Sequence, residues 1–155
     1  MIEIEVGRGD SAEALELIAA MEAWVADGFG PQTPDRTSTV AALEMVPPSG
    51  AFAVLREDGV AVAGGGVRRL GDGVCEIKRM FVVPAARGRG HGRRVLEALE
   101  AAAVSLGYAR ARLDTALSMT TAMALYSSAG YVAIEDYNGN SYASFWGEKV
   151  LARRG

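Results

Sequence analysis

The sequence predicts an α/β fold, a mixed and twisted central sheet of about seven strands flanked by about four helices. Three observations predict it. Strand-length runs, apolar or alternating, recur along the chain between segments of helical period. Turn signals at Asp58-Gly59 and Gly71-Asp72-Gly73 join three of these runs into an antiparallel meander. A strand–helix–strand unit over Val74–Thr115 then calls for one parallel pair. With 155 residues, 50% of them hydrophobic and 23% charged, one domain over 1–155 with a packed core is expected.

Ile2–Val6 alternates apolar and acidic residues as a half-buried strand does, and Gly7 and Gly9 end it. Asp10 or Ser11 can cap the next helix, with Glu13 at capping-box spacing from Asp10. Leu15, Ile18 and Ala19 continue it, and Gly28 and Gly30 stop it. Phe29–Ser38 is rich in turn formers and is either a connector or a mobile, substrate-facing loop. A short helix over Thr39–Met45 precedes Pro47-Pro48. Ala51–Arg56 and Val60–Arg69 form a hairpin, and Gly64-Gly65-Gly66 inside its second strand signals a bulge or a close backbone approach. Val74–Val83 is the third strand of the meander. A helix runs from about Gly90 to Leu106 and stops at Gly107. Arg110–Thr115 alternates as a strand parallel to Val74–Val83. Thr120 or Thr121 opens the last helix, whose Ala122, Leu125, Tyr126 and Ala129 share one face before Gly130. Tyr131–Glu135 and Tyr142–Val150 are the final strands, joined by the turn-rich Asp136–Ser141.

Composition excludes several classes of function. Net charge is −3, so the arginines near residue 90 are a local cluster and not the broad basic face that nucleic acid requires. One cysteine, Cys75, and one histidine, His91, leave no intramolecular disulfide and no His/Cys metal site. The N-terminal residues lack a basic-then-apolar signal pattern, and no apolar run approaches the roughly 20 residues of a membrane helix. A cytoplasmic protein with no membrane, metal or nucleic-acid partner is the expectation.

The chain is organised around Met80–Arg94 (MFVVPAARGRGHGRR). An apolar run ends at Pro84, which lacks a backbone donor and restrains Val83. Gly88, Gly90 and Gly92 then alternate with Arg87, Arg89, His91 and Arg93 ahead of a helix. Glycines bare the backbone N–H groups, and a helix start adds unpaired donors and partial positive charge, which together make an anion site. No Gly-Lys-Ser/Thr follows, so a Walker loop fails; position 93 is arginine, so a dinucleotide fingerprint fails too. What remains is an acyl-CoA pyrophosphate loop or a basic, glycine-rich helix start with no ligand.

Three motifs in order carry a resemblance that covers essentially the whole chain. Cys75–Val83 (CEIKRMFVV) looks like the strand before the loop in GNAT-type, acetyl-CoA-dependent N-acetyltransferases, where Glu-Ile-Lys-Arg-Met recurs in one bacterial subgroup. Arg87, Gly90 and Gly92 match their Arg/Gln-x-x-Gly-x-Gly/Ala loop, and Ala122–Tyr131 resembles their Ala-x-x-Leu-Tyr-x-x-x-Gly-Phe/Tyr signature. The asparagine that often stands three residues before that alanine, helping to hold the cofactor, is Met119 here.

The resemblance implies the GNAT fold and transfer of an acetyl group from acetyl-CoA to an amine. It assigns the acyl donor to the backbone around Met80, Phe81 and Val82 and to Arg87, Gly88, Arg89, Gly90, His91, Gly92 and Arg93. It also implies a strand that splays from its parallel neighbour after a bulge, pantetheine on the freed edge, and a backbone N–H near Val82 on the thioester carbonyl. Tyr126 becomes the candidate general acid, against a core tyrosine on an apolar stripe. Glu76 is the candidate base, directly or through water, or an attractor of the ammonium, against an ordinary strand glutamate. Lys78 and Arg79 can meet an anionic part of the substrate. Cys75 is expected to be buried and inert. The acceptor site is expected from Phe29–Thr37, Glu76 and Tyr137–Tyr142, with Phe29, Tyr137, Asn138 and Tyr142 as contacts for a small amine, amino acid or peptide terminus. Phe145-Trp146 can mediate a homodimer, common in the family, or pack in the core. The competing readings are a non-catalytic acyl-CoA sensor and a regulatory or oligomerisation module on the same scaffold.

Overall fold

The computed structural model describes residues 1–29 and 42–151, the Phe29 side chain excepted. Its sheet runs in the order β1 (Ile2–Gly7), β2 (Ala51–Glu57), β3 (Val60–Gly71), β4 (Val74–Val82), β5 (Arg110–Thr115), β7 (Phe145–Val150) and β6 (Val132–Ala133). Among the described residues, only β4 and β5 pair in parallel, as the crossover between them requires. The helices are α1 (Ala12–Phe29), α2 (His91–Ser105) and α3 (Thr120–Ser128), with a 3-10 turn at Pro84–Ala86. Of the short helix expected over Thr39–Met45, residues 42–44 are described and are helical.

Strand alternation sorts the core into two layers. Ala53 and Leu55 of β2 join Val67, Cys75, Ile77, Ala111 and Leu113 beneath Val95, Leu96 and Leu99 of α2 and Tyr126 of α3. Phe52 and Val54 point the other way, onto Ala14, Leu17 and Ile18 of α1 and onto Met45. Each such fully buried aliphatic side chain contributes roughly 1.5–3 kcal/mol. Cys75 is fully buried, and burial pushes its thiol up to about 12.

Several element ends differ from expectation for identifiable reasons. The Ser11 hydroxyl, not Asp10, caps α1, accepting from the Ala14 N–H at 3.1 Å. Asp10 is held by Arg8 at 2.9 Å, and Glu13 pairs with Arg56, so no reciprocal box forms. The helix absorbs Gly28 and runs to Phe29. β6 is shorter than Tyr131–Glu135 because the Tyr131 N–H returns to the Tyr126 carbonyl at 3.0 Å, closing α3 with Gly130 at φ 99°. β7 starts at Phe145, since the preceding residues turn on their own side chains: Asp136 Oδ1 accepts from the Asn138 and Gly139 amides, and Asn140 Oδ1 from that of Tyr142. β7 lies between β5 and β6 with both edges paired; Phe145 packs on the core.

The glycine run in β3 is a close approach. A Cβ on Gly65 would lie 2.8 Å from Met80 Cγ, and one on Gly66 would lie 2.0 Å from Met45 Sδ. The bulge lies opposite, in β4, where Gly64 faces Phe81 while Gly66 faces Lys78, so two steps on β3 match three on β4. Arg79 takes up the extra residue at φ 59°.

Candidate active site

The sheet opens at its centre. β4 and β5 pair only through Val74↔Arg110, Cys75↔Ala111 and Glu76↔Arg112, while β5 continues to Thr115 against β7. From Ile77 onward β4 therefore has a free edge on the β5 side. The Val83 N–H is given to Val62 of β3 at 2.9 Å, so by alternation the polar groups of Val82 face the opening. The Val82 carbonyl accepts from Arg87 Nε at 2.9 Å, which leaves its N–H as the donor directed there.

Beyond the 3-10 turn the loop meets the start of α2. Gly88 (φ 81°) and Gly90 (φ 78°) adopt left-handed backbone, a conformation that strains any side-chain-bearing residue. Among the described residues, the amides of Gly88, Arg89, Gly90, His91, Gly92 and Arg93 find no acceptor, and no side chain caps α2. A curved row of free N–H groups at a helix's positive end attracts a phosphate or pyrophosphate.

The neighbouring side chains largely serve the protein itself. Arg87 stacks on Trp24 with its guanidinium 4.6 Å from the ring centroid. Arg89 pairs with Glu57. His91 is buried, with Nε2 2.7 Å from Glu57 Oε2 and Nδ1 3.1 Å from Arg94, so only its backbone faces the loop. Arg93 reaches Ser128 Oγ at the end of α3. Glu57 thus clamps the loop to β2, and His91 followed by Arg89 holds its carboxyl below the usual carboxylate range. Glu57→Ala is expected to lower Tm and weaken the binding of a pyrophosphate-bearing ligand together, read by thermal unfolding with and without such a ligand.

On the α1 side of the sheet the polar residues form a row across four strands: Arg68, Glu76, Arg112 and Glu148 face one another in register. Glu76 is buried and both its oxygens are occupied. Oε1 accepts from Arg68 Nε at 2.8 Å and lies 3.7 Å from Lys78 Nζ; Oε2 accepts from the Tyr137 hydroxyl at 2.5 Å and Asn138 Nδ2 at 3.3 Å. Burial pushes its pKa up, but Lys78, Tyr137 and Arg68 outweigh that and hold it below the usual range. Asn138 also bonds Asp114 and accepts from Trp146 Nε1 at 2.9 Å. Tyr142 lies half-exposed further along the same connection.

Tyr126 sits in the other layer, ring to ring with Tyr131 at 6.0 Å. Burial first and Asp114 second push its phenol up to about 12, so it stays protonated at neutral pH. Among the described residues no hydrogen-bond partner meets its hydroxyl. Met119 stands at the N-cap of α3, where its side chain makes no capping bond. Of the expected acceptor loop, residues 30–37 and the Phe29 side chain lie outside the described residues. Sequence reasoning missed Arg68, Glu57 and Asp114; the alternation of Arg110–Thr115 carried a signal for the last, since it sets Asp114 on the face of Glu76 and Arg112.

An open strand edge beside a row of free amides fits an extended, amide-bearing arm such as pantetheine that ends in a pyrophosphate. Comparison with known proteins agrees. The model of the acetyltransferase (GNAT) family matches residues 17–131. A curated relative from Azospirillum brasilense, an IAA acetyltransferase, is 40% identical over 81 residues, 52% of this chain and 53% of that protein. The chain spans about half the length of the curated relatives it matches. A candidate acyl-CoA N-acyltransferase from Klebsiella pneumoniae has the same fold, with a TM-score of 0.77 and 29% identity over 98% of this chain and 99% of that one. The fold is also that of a candidate acetyltransferase from Salmonella typhimurium solved with its cofactor acetyl-CoA, with a TM-score of 0.69 and 17% identity over 100% and 96% of the two chains.

Proposed function

The chain belongs to the acetyltransferase (GNAT) family, and from that premise we propose that it moves an acetyl group from acetyl-CoA to the primary amine of a small molecule, amino acid or peptide, by direct attack in a ternary complex. The observation that carries this reading is the β4 edge from Ile77 to Val82, left unpaired by β5 and presenting the Val82 N–H, lying next to the unpaired amides of residues 88–93. An extended chain adds to the first as a strand would, and a pyrophosphate suits the second. Acetyl-CoA supplies the acyl group as an activated thioester.

The chain's own groups divide the remaining work. The Val82 N–H faces the opening, where a donor polarises a carbonyl. Tyr126 holds a proton for the departing sulfur. Glu76, with both oxygens occupied and its pKa lowered, is better suited to positioning than to taking the amine proton. It anchors Tyr137 and Asn138 of the acceptor wall, and solvent water can remove the proton.

Thermal unfolding with acetyl-CoA, and with CoA lacking the acetyl group, tests the reading. Ligand at about 100 times its Kd stabilises the fold by roughly 2.7 kcal/mol, a rise of a few degrees in Tm. A thiol-release assay across an amine panel then separates an enzyme from a sensor. No shift at millimolar ligand overturns the assignment.

A further inference from the structure

Building on that transferase reading, we propose that the acceptor carries a carboxylate close to its amine, as an amino acid does, and that Lys78 and Arg79 receive it. Charge around the opening is shared unequally. Arg68 is satisfied twice, by Glu76 and by Glu44 at 2.9 Å. Glu148 is taken by Arg110 and Arg112, each at 2.8 Å. Asp114 accepts from the side-chain amides of Asn138 and Asn140. Two cations remain poorly matched. The nearest carboxylate oxygen to Lys78 Nζ is Glu76 Oε1 at 3.7 Å, beyond hydrogen-bond reach and already serving Arg68. Arg79 Nε is buried and has no acceptor among the described residues.

Both residues lie where β4 parts from β5. Pairing of β4 with β5 stops at Glu76↔Arg112, so Lys78 and Asp114, two residues further along their strands, flank the mouth of the opening on its polar face. The bulge turns Arg79 out of the strand's alternation at the same point. Burial disfavours the Lys78 ammonium; Glu76 and, more weakly, Asp114 counter this, while Arg68 and Arg79 add to it, so the net balance is against the charge. An incoming carboxylate relieves that burden and gives the buried Arg79 donor an acceptor. A polyamine, a carboxamide or a peptide N-terminus has no group for this site.

The test compares kcat/KM for amino acids, their carboxamides and their decarboxylated amines, with acetyl-CoA saturating. The expected result is a preference for the carboxylates of about 10- to 100-fold, the worth of a charge-assisted contact. Lys78→Met collapses that ratio towards unity and Lys78→Arg retains most of it. With CoA present, an N-acetylated amino acid raises Tm more than its carboxamide does. Equal use of the three acceptor classes, or a ratio unchanged in K78M, overturns the inference. Turnover of none of the carboxylates while acetyl-CoA still stabilises the fold also overturns it and leaves the transferase reading standing. Failure of acetyl-CoA to bind removes the transferase reading itself.

Discussion

Tyr126→Phe is expected to fold as the parent does and to turn over at least about 100-fold more slowly, the lower range of what a positioned general acid contributes. The expectation rests on separating the ring from the hydroxyl. The ring belongs to the core: it is 8% exposed and packs edge-on to Tyr131. Phenylalanine keeps all of that contact. The hydroxyl has no bonding partner among the described residues, so its removal orphans no buried group, and stability should be unchanged. A phenol pushed up to about 12 carries its proton at neutral pH. Because the proton moves only in the transition state, kcat and kcat/KM should fall together, with acetyl-CoA stabilisation retained. Wild-type turnover in Y126F would return Tyr126 to a purely structural part in the core.

The contrast between the two halves of the site follows from what sequence can encode locally. The left-handed glycine turn into α2 was legible because proline, alternating glycines and a helix start are neighbours in the chain and act on the same short backbone. The parallel pair was legible from the crossover rule, and its consequence, an open edge after Glu76, agrees with the splay expected from the resemblance. The polar face was not legible, because it depends on register between strands far apart in sequence. Arg68, Glu76, Arg112 and Glu148 become a row only when β3, β4, β5 and β7 lie side by side. Likewise, nothing near Arg87 or Arg89 reveals that Trp24 and Glu57 will engage them. Helix ends shifted by a residue or two, where a side-chain cap or a tolerated glycine decided the outcome.

Glu76→Ala is expected to be the most destabilising single change at the site, costing about 3–5 kcal/mol, the loss typical of breaking a buried charge pair. Its carboxylate accepts from Arg68, Tyr137 and Asn138 and lies 3.7 Å from Lys78; the variant leaves the Tyr137 hydroxyl without an acceptor among the described residues and the Arg68 and Lys78 charges less matched, while Arg68 keeps Glu44 and Asn138 keeps Asp114. The sign of the pH dependence follows from the balance already described: burial raises the Glu76 pKa, but Lys78, Tyr137 and Arg68 together bring it below the ordinary value. A carboxylate lowered on folding stabilises the native state above its unfolded pKa of about 4.3 and loses that contribution as pH falls through the lower folded value. The gap in stability between parent and variant should therefore be full at neutral pH and close only in acid, as chemical denaturation at stepped pH would read. The same balance bears on catalysis. A group titrating below the usual carboxylate range cannot set a rate limb near neutrality, so Glu76→Gln should lower Tm while its pH–rate profile between about 6 and 9 keeps the parent's shape. If Glu76→Gln instead kept its Tm and lost that limb, Glu76 would be the group that takes the amine proton, and its crowded oxygens would have to open when the acceptor binds.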